Sequence, residues 1–303
     1  MDLLVAMGQD VSSYKEEVEK TRKKNKAGDS NTPMLDQYSR DLTALAAEGK
    51  LEFKVYTSTN AEEMTAQIDE AMLWGAQALV IAPQWTGMEV AAQGAIDAGL
   101  TVVAFDMDIP AEGIYKVTGD NESMGVGGAK YIVDKIGTEG VVVALPVPSS
   151  GSVSELRMKG FTETMAEIAP NVQIIEYATA FTREDGLKDM ADILTANPKI
   201  DAVYSLDDET SIGALQAIDD AGRTEIKAIT GGGGCQDYFN VIASTDTLDA
   251  CSALYSPLMV KDCVDVALAV LNGETVEPVK VIPTTIVDKT NLDQYLDPNN
   301  TVY

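Results

Sequence analysis

The chain of 303 residues contains no histidine. That removes the commonest general base and the commonest zinc ligand, and with them most triad and zinc-hydrolase chemistry. Basic residues are scarce: 22 Lys and Arg stand against 48 Asp and Glu, for a net charge of -26. Nucleic acids and anionic membrane surfaces need a basic footprint, so both are excluded as partners. Cysteine is also sparse, with Cys235, Cys251 and Cys263 alone. Three is no disulfide framework. They read as small buried apolar residues, with a single Cys251–Cys263 or Cys235–Cys251 bridge as the alternative. No apolar run reaches the ~20 residues that a membrane span needs. No signal peptide is present, yet a strand pattern starts at once, at Leu3–Met7. That start predicts a trimmed leader with Met1 added.

What the chain does have is a repeat. Ala95-Ile96-Asp97-Ala98-Gly99 leads into the apolar run Leu100–Phe105, and Ala217-Ile218-Asp219-Asp220-Ala221-Gly222 leads into Ile226–Thr230. The flanks match: Ala61–Trp74 then Ala78–Ala82, and Arg183–Ala196 then Ala202–Leu206. An offset of roughly 120 residues is too long for a solenoid unit. It fits two copies of one α/β domain, each large enough for its own core. Two such domains create a cleft, the usual place for a small ligand.

Continuous apolar runs predict strands at Leu3–Met7, Leu51–Thr57, Ala78–Ala82 and Leu100–Phe105, then at Val141–Leu145, Val172–Tyr177, Ala202–Leu206, Ile226–Thr230 and Leu248–Tyr255. Runs without alternation are expected of parallel strands buried on both faces. Helical patterns lie between them, at Glu62–Trp74, Met88–Ala98, Ser123–Ile136, Val153–Ile168, Glu184–Thr195, Thr210–Asp220 and Leu258–Leu271. The fold class is therefore α/β, with two doubly wound, Rossmann-like parallel sheets. The first crossover is unusually long. Ser13–Lys26 is a charged helix pattern, Gly28–Asn31 breaks it, and Pro33 starts another with Leu35, Tyr38, Leu42 and Leu45 on one face. Val11–Ser30 reads as an insertion at the mouth of the first domain.

Ligands of parallel α/β sheets meet the loops at the carboxyl ends of the strands. Those loops hold Gln84 and Trp85, Asp106 and Asp108, Pro146–Gly151, Phe181, Asp207-Asp208-Glu209 and Gly231–Gln236. They contain carboxylates and aromatics but no nucleophile–base pair. Carboxylates accept from hydroxyls, and aromatic faces stack on the C–H faces of sugar rings, so the set suits a polyhydroxylated ligand. Arg157 sits in the first turns of a helix, where the dipole disfavours a cation. Clamping ligand oxygens with its planar fork is a reason for it to be there. Gly231-Gly232-Gly233-Gly234 lacks the Lys-Ser/Thr ending of a phosphate loop.

Taken in order, these residues resemble the type I periplasmic sugar-binding proteins, the ribose- and galactose-binding family of ABC importers. The anchors are Val102–Asp108 as a strand ending in a sugar-binding Asp, Gly119-Asp120-Asn121 with Gly125 as a first hinge crossing, and Arg157-Met158-Lys159-Gly160-Phe161 as R-x-x-G-F. Phe181-Thr182-Arg183, Asp207-Asp208-Glu209 with Gly213-Ala214-Leu215, Tyr255-Ser256-Pro257 and Asn291-Leu292-Asp293 follow. The resemblance implies two lobes joined by three crossings near Gly119-Asp120, Tyr255-Ser256 and Pro283-Thr284. One lobe is residues 1–119 plus 256–283, the other 120–255 plus 284–303. It implies a non-enzymatic receptor without cofactor or metal, closing on a sugar or polyol and presenting it to an ABC permease. The receptor would be a monomer, periplasmic or lipid-anchored outside the cell. The implied ligand contacts are Asp106, Asp108, Arg157, Phe181, Asp207, Tyr255, Trp85, Gln84 and Tyr14. Departures from the pattern are Ala82, Met107 and Gly233 at positions where the family has polar side chains. They imply a ligand other than ribose or galactose. Two alternatives share features of the chain: the effector domain of a LacI-type regulator, and a magnesium-dependent phosphatase of the haloacid dehalogenase type using Asp106 and Asp108.

Overall fold

The computed structural model describes the backbone of residues 3–8, and residues 52–83 and 85–297. The chain divides into two compact units, Met1–Thr118 with Leu258–Val281, and Gly119–Pro257 with Ile282–Tyr303. Tyr14, Gln84, the Val11–Ser30 insertion and the two helix patterns around it lie outside the described residues.

The first unit carries β1 (Leu3–Gly8), β2 (Glu52–Thr57), β3 (Ala78–Ala82), β4 (Thr101–Phe105), β5 (Tyr115–Gly119) and β11 (Val279–Ile282). They form one sheet in the order β11-β5-β4-β3-β1-β2. β3, β4 and β5 are parallel. β1 is not: it runs antiparallel to both β2 and β3, with Val5 opposite Val55 and Val80. The parallel order expected of this sheet holds for β3, β4 and β5 and is broken at β1. A continuous apolar run encodes two buried faces but not a direction, and mixed sheets are common. Helices α1 (Ala61–Trp74), α2 (Glu89–Asp97) and α8 (Val260–Leu271) belong to this unit. α1 starts where the Asn60 side chain accepts from Glu63 N at 2.9 Å, and it ends at Gly75 in the left-handed region (φ 90). Met64, Ile68 and Ala71 lie one helical turn apart and bury against Leu79, Ile81, Val102 and Ala104.

The second unit carries β6 (Glu139–Leu145), β7 (Asn171–Glu176), β8 (Ala202–Ser205), β9 (Ala228–Gly233), β10 (Asp249–Leu254) and β12 (Ile286–Val287), in the order β12-β10-β9-β8-β6-β7. All pairs are parallel except β10–β12. Its helices are α3 (Asn121–Ile136), α4 (Ser152–Ile168), α5 (Arg183–Ala196), α6 (Asp208–Asp220) and α7 (Gln236–Ser244). Successive residues of β6 divide between two cores. Val143 and Leu145 join Val203, Ile229 and Ile242, while Val142 and Ala144 join Ala202, Phe161 and Ile132. That double burial is why the strand reads as an unbroken apolar run. Two helix pairs touch backbone to backbone through glycine. A Cβ on Gly125 of α3 would lie 2.1 Å from Arg157 O of α4, and one on Gly213 of α6 would lie 2.1 Å from Arg183 O of α5.

Strands β5, β11 and β12 and helix α7 are absent from the expected elements. β5 (YKVTG) and β11 (VKVI) carry Lys inside a short run, β12 is two residues long, and α7 has no side-chain cap. The cysteines are three free, buried thiols, so the disulfide alternative is corrected. Burial pushes the Cys235 thiol up to about 11 and holds Cys251 and Cys263 well above their ordinary range.

Candidate functional site

In the first unit the candidate groups follow β3 and β4. Asp106 is the one non-glycine residue with positive φ (72) among the described residues. Its amide donates to Val117 O at 2.9 Å, which ties the turn to β5. A side chain held in the left-handed region is strained, and such strain gathers at functional positions. Asp108 is exposed and ion-paired with Lys116. Met107, between them, is 4% exposed and faces inward, which suits an apolar side chain better than an unpartnered polar one. Trp85 packs beside the Met64–Ile68 core, with its Nε1 buried and without a partner among the described residues.

In the second unit three candidates converge. Arg157, in the second turn of α4, is 5% exposed. Its Nε donates to Asn121 Oδ1 at 2.8 Å and its Nη1 to Leu206 O at 2.7 Å. Its guanidinium lies over the Tyr255 ring, 5.0 Å from the centroid. Tyr255 Oη accepts from Gly119 N at 3.2 Å, and a Cβ on Gly119 would collide with the Tyr255 ring at 2.1 Å. None of these partners is a carboxylate. Among the described residues Arg157 forms no ion pair, and its Nη2 makes no hydrogen bond. A buried guanidinium so placed has an unused, charged donor. Its surroundings include a small cavity lined by Met124, Tyr204, Ser205, Thr230 and Gly231.

Asp207 follows β8, one residue beyond Leu206, and caps α6. Its Oδ1 accepts from Thr210 N at 2.9 Å. Thr210 Oγ1 lies 2.5 Å from Asp207 Oδ2 and 2.9 Å from Ala180 O. A hydroxyl carries one proton, so both contacts are hydrogen bonds together only when Asp207 is protonated. Burial raises Asp207 to about 6, against the pull of the Thr210 bonds and of Arg157. The same hydroxyl ties the Asp207 turn to the loop carrying Phe181, which is 36% exposed. The structure thus gathers Arg157, Tyr255 and Asp207 in one neighbourhood, with the Phe181 loop attached.

Two residues that the sequence offers only as members of a strand-end loop and of the first crossing, not as ligand contacts, take definite roles. Asp208 is 2% exposed and accepts from Gly234 N (2.8 Å), Cys235 N (2.8 Å) and Ser252 Oγ (2.7 Å), so it anchors the tetraglycine turn. Burial nonetheless raises it to about 7. Asn121 grips Arg157 across 36 positions of sequence. Nothing local names their partners: an acid beside an acidic cap and an amide at a helix start are ordinary surface patterns. Among the described residues no cluster of three or more Cys, Asp or Glu could hold a metal ion, and no helix is long and apolar enough to cross a membrane.

Known proteins resemble the chain along most of its length. The profile of the periplasmic binding protein domain matches residues 27–275. A xylitol-binding protein of Mycolicibacterium smegmatis is 26% identical over 285 residues, covering 88% of this chain and 80% of its own. The ribose import binding protein of Bacillus subtilis is 27% identical over 251 residues, covering 82% and 80%. Among solved structures, an ABC transporter solute binding protein from Mycobacterium smegmatis with bound glycerol superposes with a TM-score of 0.74 at 26% identity, over 80% of this chain and 84% of its own. The regulator and phosphatase alternatives give way before these relatives. The chain belongs to the periplasmic binding protein domain family, whose members are solute-binding proteins and not enzymes.

Proposed function

We propose that the chain is the receptor of a sugar or polyol ABC importer, with Arg157, Asp207, Phe181 and Tyr255 on one lobe and Asp106, Asp108 and Trp85 on the other contributing to the ligand site. The observation that carries the reading is the Nη2 of a buried, neutrally held Arg157, which makes no hydrogen bond among the described residues. Beside it stands Asp207, whose carboxyl oxygens keep lone pairs for a ligand hydroxyl beyond their contacts with Thr210. A charged donor next to a carboxyl matches the mixed donor and acceptor character of a hydroxyl. Relatives named for xylitol and ribose, and a neighbour holding glycerol, support the same ligand class.

Closure of two lobes on the ligand is the proposed mechanism. The ligand favours the closed form by its differential affinity, and a permease reads that form. The receptor acts as a monomer outside the cytoplasmic membrane, free in a periplasm or lipid-anchored.

A thermal-shift panel of pentoses, hexoses, deoxysugars, inositols, xylitol and nucleosides tests the reading. A ligand at about 100 times its Kd adds about 2.7 kcal/mol. That raises Tm by about 5–10 °C at about 2–4 °C per kcal/mol. One clear responder names the class. A sample refolded free of ligand that responds to no polyhydroxylated solute refutes it.

A further inference from the structure

Three chain crossings separate the two units, after Thr118, Pro257 and Val281. On the side of the second unit they are laced together. Asp120 N donates to Ile282 O at 2.9 Å, Leu254 N to Thr285 O at 2.8 Å, and Thr284 Oγ1 to Leu254 O at 3.0 Å. Gly119 N donates to Tyr255 Oη. Arg157 stands on this lacing. Asn121, which holds its Nε, is three residues past the first crossing, and Tyr255, whose ring lies beneath its Cζ, is two residues before the second.

A guanidinium has five N–H donors in one rigid plane, so fixing two nitrogens and one face fixes the direction of the third nitrogen. Asn121 Oδ1 and Leu206 O fix Nε and Nη1, and the Tyr255 ring fixes the face. Asn121 is itself 3% exposed at the head of α3, where Asp120 caps the helix by accepting from Ser123 N at 3.0 Å. Glycines at 125 and 160 then bring α3 and α4 into backbone contact, which sets the spacing across which the Asn121–Arg157 bond forms.

We infer that Asn121 is a positioning residue for the ligand-gripping Arg157, and that with Tyr255 it ties the occupancy of that arginine to the chain crossings. The inference rests on the proposed receptor function. A solute drawing on Nη2 pulls on a side chain that, besides Leu206 O, is attached to two of the crossing segments through Asn121 and Tyr255. Binding and the conformation of the crossings are then linked through one guanidinium.

The test is a double-mutant cycle with a ligand-free arm. Calorimetric titrations with xylitol, D-ribose and D-allose compare the wild type, Asn121→Ala, Arg157→Lys and the double variant. Lysine has no Nε for Asn121 to hold. Asn121→Ala is expected to weaken binding about tenfold in the wild type, and by less than about twofold in the Arg157→Lys background. Asn121→Asp, whose carboxylate accepts the same bond, recovers most of the loss. The same loss in both backgrounds, or none in either, overturns the inference.

In the second arm, hydrogen exchange of residues 118–123 is measured without ligand in the wild type and in Arg157→Ala. Exchange there is expected to quicken in the variant, and unchanged exchange overturns the inference. If none of the three solutes binds, the receptor reading loses its support, and the exchange arm still decides whether Arg157 braces the crossings. If Asn121→Ala does not fold, Asn121→Asp and the exchange arm carry the test.

Discussion

One substitution, glycine to alanine inside a helix, is expected to act with opposite sign at two places in this molecule. Gly94 lies inside α2, and a Cβ there meets nothing within 4 Å. Alanine then gains only the helix-propensity term, about 0.5–1 kcal/mol. Gly125 lies inside α3, where the added Cβ would stand 2.1 Å from Arg157 O and 2.6 Å from Phe161 N. Ordinary contact begins at 3.4 Å, so α3 and α4 must part by about 1.3 Å. The obstacle is backbone on a neighbouring helix, which no rotamer change can move aside. Overpacking costs about 1–3 kcal/mol, and a backbone clash belongs at the upper end. Against a propensity gain of about 1 kcal/mol, Gly125→Ala is left about 2 kcal/mol less stable.

Calorimetric melting reads both variants. At about 2–4 °C per kcal/mol, Gly94→Ala raises its transition by about 1–4 °C, and Gly125→Ala lowers its own by about 4–8 °C. The parting also stretches the 2.8 Å Asn121–Arg157 bond, which runs between the same two helices, so Gly125→Ala weakens ligand binding as well. A Gly125→Ala protein that melts with the wild type would refute the helix spacing and, with it, the geometry assigned to Arg157.

Other outcomes follow from single sites. Arg157→Ala and Asp106→Ala are each expected to weaken ligand binding by about 1.5–3 kcal/mol, the range for charge-assisted hydrogen bonds, and full affinity in both by calorimetric titration would remove them from the site. Asp106→Gly is expected to be about 1 kcal/mol more stable than Asp106→Ala in denaturant unfolding, because φ 72 is strained for alanine and free for glycine. Equal stability would deny the strain. Asp207 titrates at about 6 when folded, above its ordinary 3.8. Stability from its protonated form is therefore fully present below about pH 4 and lost as pH rises through 6. Melting of the wild type should accordingly fall relative to Asp207→Asn between pH 4 and 7, and parallel pH profiles would contradict the raised value.

Much of the architecture was legible in sequence because it is local. The repeated Ala-Ile-Asp segments, the apolar runs and the polar residues at helix starts each act within a turn or a strand. Thr182 caps α5 by accepting from Asp185 N at 3.0 Å, and Asp207 caps α6 through Thr210. The absence of histidine and the net charge of -26 likewise narrow the function classes whatever the fold. Tertiary structure decided what depends on partners distant in the chain. The direction of β1 is one case, since an apolar run in the sequence carries no strand polarity. The short strands β5, β11 and β12 exist by pairing rather than by their own pattern. Arg157 was visible as a cation in an unfavourable helical position. What makes it a candidate binding group is Asn121, Leu206 and Tyr255, which lie 36, 49 and 98 positions away and meet it only when the helices and the crossings come together. Hydrogen bonds across such separations depend on the path of the whole backbone, and no window of sequence contains that path.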